Sequence, residues 1–324
     1  MKVIKYVLIF TLLQLISIAN IFAFEKVGTT SFQFLKVIPN ARAAGMGGAY
    51  STISIGSDAM FFNPAGLTTV STFDGAIGYL DWFMDVAQYS FSAAYTIEGI
   101  GTFGLMGMMT DIGEIQETKV SHLGFVGDVY NPGLTGKTFS PSSVVLGLSY
   151  AKDLNDRFTF GINLKYTYED LIYYSKGALI FDGGMIFKTG FRSVVVGASI
   201  RNFGQEITYI DKNYPLPQTL NIGVSAYLFS DEDPLFSKVN DHSLLLSADI
   251  IQPRDYDQQY AIGAEYSFSK MLFLRGGYLF NSDNGGLNFG AGISFKGTTL
   301  DYAFSDYGEY LGSVHRISIS VSLK

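Results

Sequence analysis

The chain has 324 residues, no Cys, a net charge of −7, 16% charged residues and an excess of Gly (36), Tyr (21) and Phe (27). Average proteins carry roughly a quarter charged residues. So apolar a chain is not disordered, the missing Cys excludes disulfides, thiol catalysis and Cys-ligated metals, and an acidic balance without a basic block leaves no footprint for nucleic acid.

The chain opens with Lys2 and Lys5, then an apolar run from Tyr6 to Phe22 and the small residue Ala23. Residues 1–23 read as a secretory signal peptide, which places the mature protein beyond the inner membrane. After Ala23 no stretch of about twenty apolar residues recurs, so helical membrane spanning is excluded.

Residues 24–72 differ from the rest. They contain Asn40-Ala-Arg-Ala-Ala-Gly-Met-Gly-Gly-Ala-Tyr50 and Ser57-Asp-Ala-Met-Phe-Phe-Asn-Pro-Ala-Gly-Leu67. Small residues pack closely without projecting far. Ser57 or Asp58 is placed to cap a short helix through Phe62, and Asn63-Pro64 repeats a cap-then-Pro start. A compact Gly/Ala-rich piece ahead of a wide barrel suits a plug in its lumen.

From residue 73 the chain alternates. Phe160, Ile162, Leu164, Tyr166 and Tyr168 share one phase, while Gly161, Asn163, Lys165 and Thr167 share the other. A two-residue period marks a strand with one apolar and one polar face. The pattern predicts strands over 74–83, 87–97, 102–117, 143–152, 157–172, 178–189, 194–203, 218–228, 243–252, 258–268, 272–280, 287–295, 298–305 and 313–323. An even number of strands of about ten residues, with Tyr and Phe near strand ends, predicts an all-β fold: a transmembrane antiparallel β-barrel of about fourteen strands over residues 73–324, with a short helical hatch in its lumen. A soluble sandwich would show the mixed core residues that this pattern lacks.

The links fit one end each. Long links at 110–142, 173–177, 204–217, 281–286 and 306–312 fall on the outer end, and short ones at 98–101, 153–156, 190–192 and 269–271 on the inner end. The inner link 230–241, long and acidic, does not fit this division. In-strand charges would cost about 2–4 kcal/mol on a lipid face. Asp249, Glu265, Arg275 and Asp301 lie on the polar phase, so they are expected in the lumen. A three-residue turn at 269–271 sets Glu265 opposite Arg275.

Catalytic chemistry is not expected. His122, His242 and His315 lie far apart, G-x-S-x-G is missing, and Gly99-Ile-Gly-Thr-Phe-Gly104 lacks the helix and acidic residue of a dinucleotide site. Asp231-Glu-Asp233 and Asp255-Tyr-Asp257 lack the spacing of a calcium loop. No cofactor and no metal are assigned.

Residues 40–67, with Ala41-Arg-Ala-Ala-Gly-Met-Gly-Gly-Ala-Tyr50 and Asn63-Pro-Ala-Gly-Leu67, resemble the N-terminal signature of the PorV/PorQ proteins. These belong to a wider superfamily of FadL-like long-chain fatty-acid transporters. The closing stretch His315-Arg-Ile-Ser-Ile-Ser-Val-Ser-Leu323 is similar to that family's last strand, although Lys324 stands where an aromatic residue is usual. The resemblance implies an outer-membrane barrel that carries secreted cargo proteins to the attachment machinery of a type IX secretion system, with secretion-system subunits as partners. The alternative it leaves is a transporter of fatty acids or other hydrophobic small molecules. Either way the barrel contacts outer-membrane lipid. Hatch residues expected to matter are Arg42, Gly45, Gly47, Gly48, Asn63, Pro64, Ala65 and Gly66. Aromatic and Pro anchors in the outer links, Tyr130, Pro132, Phe139, Tyr214, Pro215 and Pro217, are the candidates for partner recognition.

Overall fold

The structure is a computed structural model that describes residues 28–283 and 286–323; the expected leader and Lys324 lie outside them. Fourteen strands close into one antiparallel barrel. They are β1 Phe73–Asp81, β2 Ala87–Ile97, β3 Gly101–Asp111, β4 Ser142–Asp153, β5 Phe158–Asp170, β6 Ser175–Lys188, β7 Val195–Gly204, β8 Thr219–Ser230, β9 His242–Pro253, β10 Gln259–Phe268, β11 Leu272–Phe280, β12 Leu287–Phe295, β13 Thr298–Asp306 and β14 Ser313–Leu323. Each pairs with the next, and β1 closes on β14 with Phe73 opposite Leu323 and Asp81 opposite His315.

The two-residue period decides which side faces out. On β5, Ile162, Leu164, Tyr166 and Tyr168 are exposed, while Asn163, Lys165 and Thr167 are buried. Apolar side chains exposed all round a closed wall belong in lipid. Aromatic contacts mark both rims: Phe103 with Tyr150 (ring centroids 5.2 Å apart) and Tyr150 with Phe160 (6.1 Å) near the inner turns, Tyr79 with Tyr89 (5.4 Å) near the outer end.

Two links differ from expectation. β3 ends at Asp111, and the outer link beyond it is no irregular loop: Ile115–Val126 and Val129–Phe139 form a hairpin that projects above the barrel. The long acidic inner link acquires a reason. β7 starts at Val195, opposite Ser225, so the last residues of β8 have no strand on that side. Ser237–Lys238 fills the edge as a short parallel strand beside Phe229–Ser230, and the Leu235 amide donates to the Tyr227 carbonyl at 2.9 Å. The acidic residues meet bases there: Asp231 pairs with Lys270 and Asp233 with Arg192.

Residues 28–72 run through the lumen from the outer mouth to the inner end. At the top, the Ser31 amide donates to the Pro215 carbonyl in an outer link, and Thr30 to Asp255 in another. At the bottom, Thr96 donates to the Val70 carbonyl beside an inner turn. The order is an outer strap (28–40) with a 3-10 turn Gln33–Lys36, the helix Ala41–Gly45, and an inner lobe of 3-10 turns Ser57–Phe61 and Pro64–Thr69. The described chain therefore begins at the outer mouth and reaches β1 at the inner end. Its apolar residues, among them Phe32, Leu35, Met46, Met60 and Leu67, form the core together with inward Met106, Met108, Val145 and Leu245.

Candidate functional site

The lumen segment seats by close approach to the wall. A Cβ on Gly277 of β11 would lie 2.2 Å from the Gly47 amide, and one on Gly47, itself at φ +65°, would lie 2.6 Å from the Tyr278 amide. Gly161 and Gly184 leave the same room for Pro64 and Asn63. Asn63 caps the turn Pro64–Thr69 by accepting from the Ala65 amide at 3.2 Å, and its amide group donates to the carbonyls of Ser51 (2.7 Å) and Met185 (3.1 Å). The expected cap at Ser57 or Asp58 is not made; Gly56 occupies that position. Ser57 instead donates to Asp74, and Ser92 donates to Asp58 at 2.7 Å, so both side chains tie the lobe to the wall.

Glu265 and Arg275 are directly opposite, with Arg275 Nε 2.6 Å from Glu265 Oε2. Arg275 Nη1 reaches Asp301 at 2.6 Å. Arg42 of the lumen helix completes the row: its Nε and Nη2 grip both oxygens of Glu265 at 2.7 and 2.8 Å. Gly45 and Gly290 pack backbone to backbone beside Arg275. Asp249 stands apart and accepts from the amides of Tyr50 (3.1 Å) and Ser51 (2.8 Å). Gly48, Ala65 and Gly66 serve packing and turn geometry; a Cβ on Gly66 would meet the Ser54 carbonyl at 2.1 Å.

Below the row lies a vestibule of about 910 Å3 open to the inner end, with Arg42, Tyr50 and Asp58 in its roof and Lys188, Arg192 and Asp231 at its rim. Above the lobe, beneath the strap, is a second cavity of about 20 Å3. Leu35, Val37, Phe61, Met106, Met108 and Val145 make it apolar, and Lys165 and Arg201 stand at one end.

That end is built by a bulge. Arg201 and Asn202 of β7 together face Asp182 of β6, since Phe181 pairs with Phe203 but Gly183 with Ile200. Asn202 adopts φ +58° to allow it. Asp182 accepts from the Asn202 amide at 2.7 Å and pairs with Lys165 at 2.8 Å. Arg201 is left over. Its Nη1 donates to the Phe61 carbonyl at 2.9 Å, its buried Nε has no partner, and it forms no ion pair with any described residue. Arg201 is half-buried, and the Asp182 and Asp249 carboxylates both attract it without pairing with it directly, so its guanidinium keeps a free donor at the end of the apolar cavity. Lys165 was visible in the sequence on the polar phase of its strand, and Arg201 lies within a predicted strand, but nothing in the two-residue period announces a bulge.

The recognition candidates separate. Tyr130 is exposed at the tip of the hairpin, with Phe125 5.5 Å away ring to ring; Pro132 and Phe139 lie on the same strand. Tyr214 sits in a short outer pairing with Ile207. Pro215 and Pro217 face inward instead: their carbonyls accept from Ser31 and Asn202, and Pro217 is buried, so it is no surface anchor.

No known protein-family profile matches the chain, and no curated protein matches it. Solved structures do. A toluene transporter of Pseudomonas putida, TodX, matches at a TM-score of 0.57 and 14% identity, covering 87% of this chain and 97% of that one. The monoaromatic hydrocarbon channel CymD gives 0.56 at 14% identity, covering 88% and 97%. A FadL homologue of Pseudomonas aeruginosa gives 0.54 at 11% identity, covering 88% and 98%. At these identities the likeness is one of fold alone: the chain shares the barrel fold of these three proteins.

Proposed function

We propose that the protein is a non-enzymatic outer-membrane channel for hydrophobic small molecules, received beneath the strap. The observation that carries this reading is the apolar cavity with Arg201 at its end, its Nε without a hydrogen-bond partner. A long apolar body with one acidic head, such as a fatty acid, suits that combination. The fold shared with hydrocarbon channels supports it. A cavity of about 20 Å3 admits no such molecule until the strap lifts, which makes the strap the gate.

Arg201→Gln tests the assignment. A hydrogen bond to a charged group is worth about 1.5–3 kcal/mol. The purified barrel is expected to bind a fluorescent long-chain carboxylate roughly tenfold or more tighter than the corresponding alcohol, and Arg201→Gln to remove that difference. Equal affinity of the unaltered protein for acid and alcohol sinks the head-group role.

A second reading, the PorV/PorQ-type shuttle for type IX secretion cargo, is favoured by one feature. The outer hairpin carries Phe125, Val126, Val129 and Tyr130 exposed at its tip, above the lipid zone where such residues have no bilayer to meet. Deleting residues 115–139 is expected to stop cargo delivery to the cell surface while the barrel stays inserted; normal delivery by that variant removes the shuttle reading.

A further inference from the structure

The lipid face of β8–β12 is not evenly covered. Ala226, Ala248, Ala264 and Gly276 lie on the outward phase of four successive strands, beside the larger Leu246, Ile262 and Phe289 of the same face. The small residues leave a groove of about 670 Å3, walled by Val224, Leu228, Ile262, Tyr278 and Leu287. A Cβ on Gly276 would meet nothing within 4 Å, so the space is open there. From β8 to β12 are four strand spacings, about 19 Å. That is comparable with one hydrocarbon leaflet, about 15 Å deep as half of the membrane core.

The floor of the groove is backbone. Gly263 and Gly277 stand directly opposite each other on the inward phase of β10 and β11, and the lumen segment occupies their inner side. The Met46 carbonyl lies 2.5 Å from where a Cβ on Gly263 would stand, and the Gly47 amide 2.2 Å from one on Gly277. The groove is therefore shut towards the lumen and open to the membrane. Water is not available at that depth, and an unfilled groove forfeits the dispersion contacts of its lining. A second barrel does not reach the floor, because two outward-curved walls meet at the tips of their large side chains. A flexible hydrocarbon chain does.

At the inner end of the same face stands a polar pair. His242 begins β9 opposite Phe268, on the phase of Leu244 and Leu246. Its Nδ1 and the Tyr266 hydroxyl are 2.6 Å apart, and its ring centroid is 5.0 Å from that of Phe268, which leaves Nε2 for an outside partner. From His242 to Leu246 is about 13 Å along the strand. A ring with an apolar body and a polar tip, placed where the wall leaves the hydrocarbon, meets lipid headgroups.

We infer that the groove holds one acyl chain of an inner-leaflet phospholipid whose phosphate sits at His242. The site lies on the outer wall, so it stands apart from the reading of the lumen as a path for hydrophobic molecules. Native mass spectrometry of the whole barrel, released from detergent containing dioleoyl phosphatidylethanolamine, is expected to show one phospholipid retained per barrel. Gly276→Leu fills the groove from a position whose Cβ meets no other atom, and is expected to lower the retained fraction at least tenfold. Ala93→Leu, on the lipid face of β2 outside the groove, is expected to leave it unchanged. His242→Phe keeps a ring against Phe268 without the nitrogens, and is expected to erase the preference for this phospholipid over dioleoylglycerol, which has the chains but no phosphate. Heat-resistant gel mobility identifies the folded barrels to be compared. Phospholipid retained by Gly276→Leu at the unaltered level overturns the chain site, and equal retention of the two lipids by the unaltered barrel overturns the headgroup contact. Paired barrels that Gly276→Leu separates assign the groove to a second copy and overturn the lipid.

Discussion

Two carboxylates hold the two ends of the lumen segment, and they titrate in opposite senses. Burial pushes Asp58 up from 3.8 to about 6, with the Asp74 and Asp301 carboxylates adding to it and the bonds from Ser92 and Asn40 opposing it. A raised folded value means stabilisation that is complete below pH 3.8 and lost as pH rises through about 6. The inner lobe is thus expected to resist protease better at about pH 5 than at about pH 7.5, and Asp58→Asn to abolish the difference. A wild-type lobe cut equally fast at both refutes this. Asp255 behaves oppositely. Burial alone would raise it, but Lys36 at 2.5 Å and the donors of Thr30 and Gln33 hold it below its ordinary value. Its latch contributes above pH 3.8 and is lost on further acidification. The pair Glu265–Arg275 was legible in the sequence because a three-residue turn fixes register. The grip of Arg42 on Glu265 was not, because residues 24–72 have no period from which to place a side chain against the wall.

At the scale of elements, strands were the readable part. A repeat of two over ten residues survives any detail of packing, so segments such as 157–172 and 258–268 fall close to β5 and β10. The hairpin 115–139 was hidden because both its faces are exposed and its pattern mixes charge with apolar residues. The edge-filling piece Ser237–Lys238 answers a vacancy left by where β7 begins, a fact about two strands at once. Glycines on inward phases are seats for the lumen segment. Gly277→Ala puts a methyl group 2.2 Å from the Gly47 amide. Since backbone cannot yield as a flexible side chain does, the substitution is expected to unseat the segment near Met46 while leaving the strands paired. A barrel that keeps its heat-resistant mobility on gels but exposes residues 41–50 to protease is the expected result; unaltered protection contradicts it.

For the molecule as a whole, a wall satisfies every backbone group strand to strand and turns its apolar side chains to lipid, so the interior is free to be polar. The segment of residues 28–72 then divides that interior into an outer apolar cavity and an inner charged vestibule. Arrangement by depth was beyond the sequence. It depends on which stretch of an aperiodic segment meets which strand, and only the fold brings Ser31 to Pro215 and Val70 to Thr96.

The threading of the segment also constrains how the protein is made. β1, which follows the segment directly, pairs with β14, the last of the fourteen strands in chain order. The ring cannot shut until all fourteen strands have been delivered, and once shut it encloses residues 28–72 with residue 28, their leading end, at the outer mouth. Closure of the ring and enclosure of the segment are therefore coupled in the finished fold. A folded domain joined ahead of residue 28 would have to cross with that leading end or else stall the ring open, like a cord caught in a closing clasp.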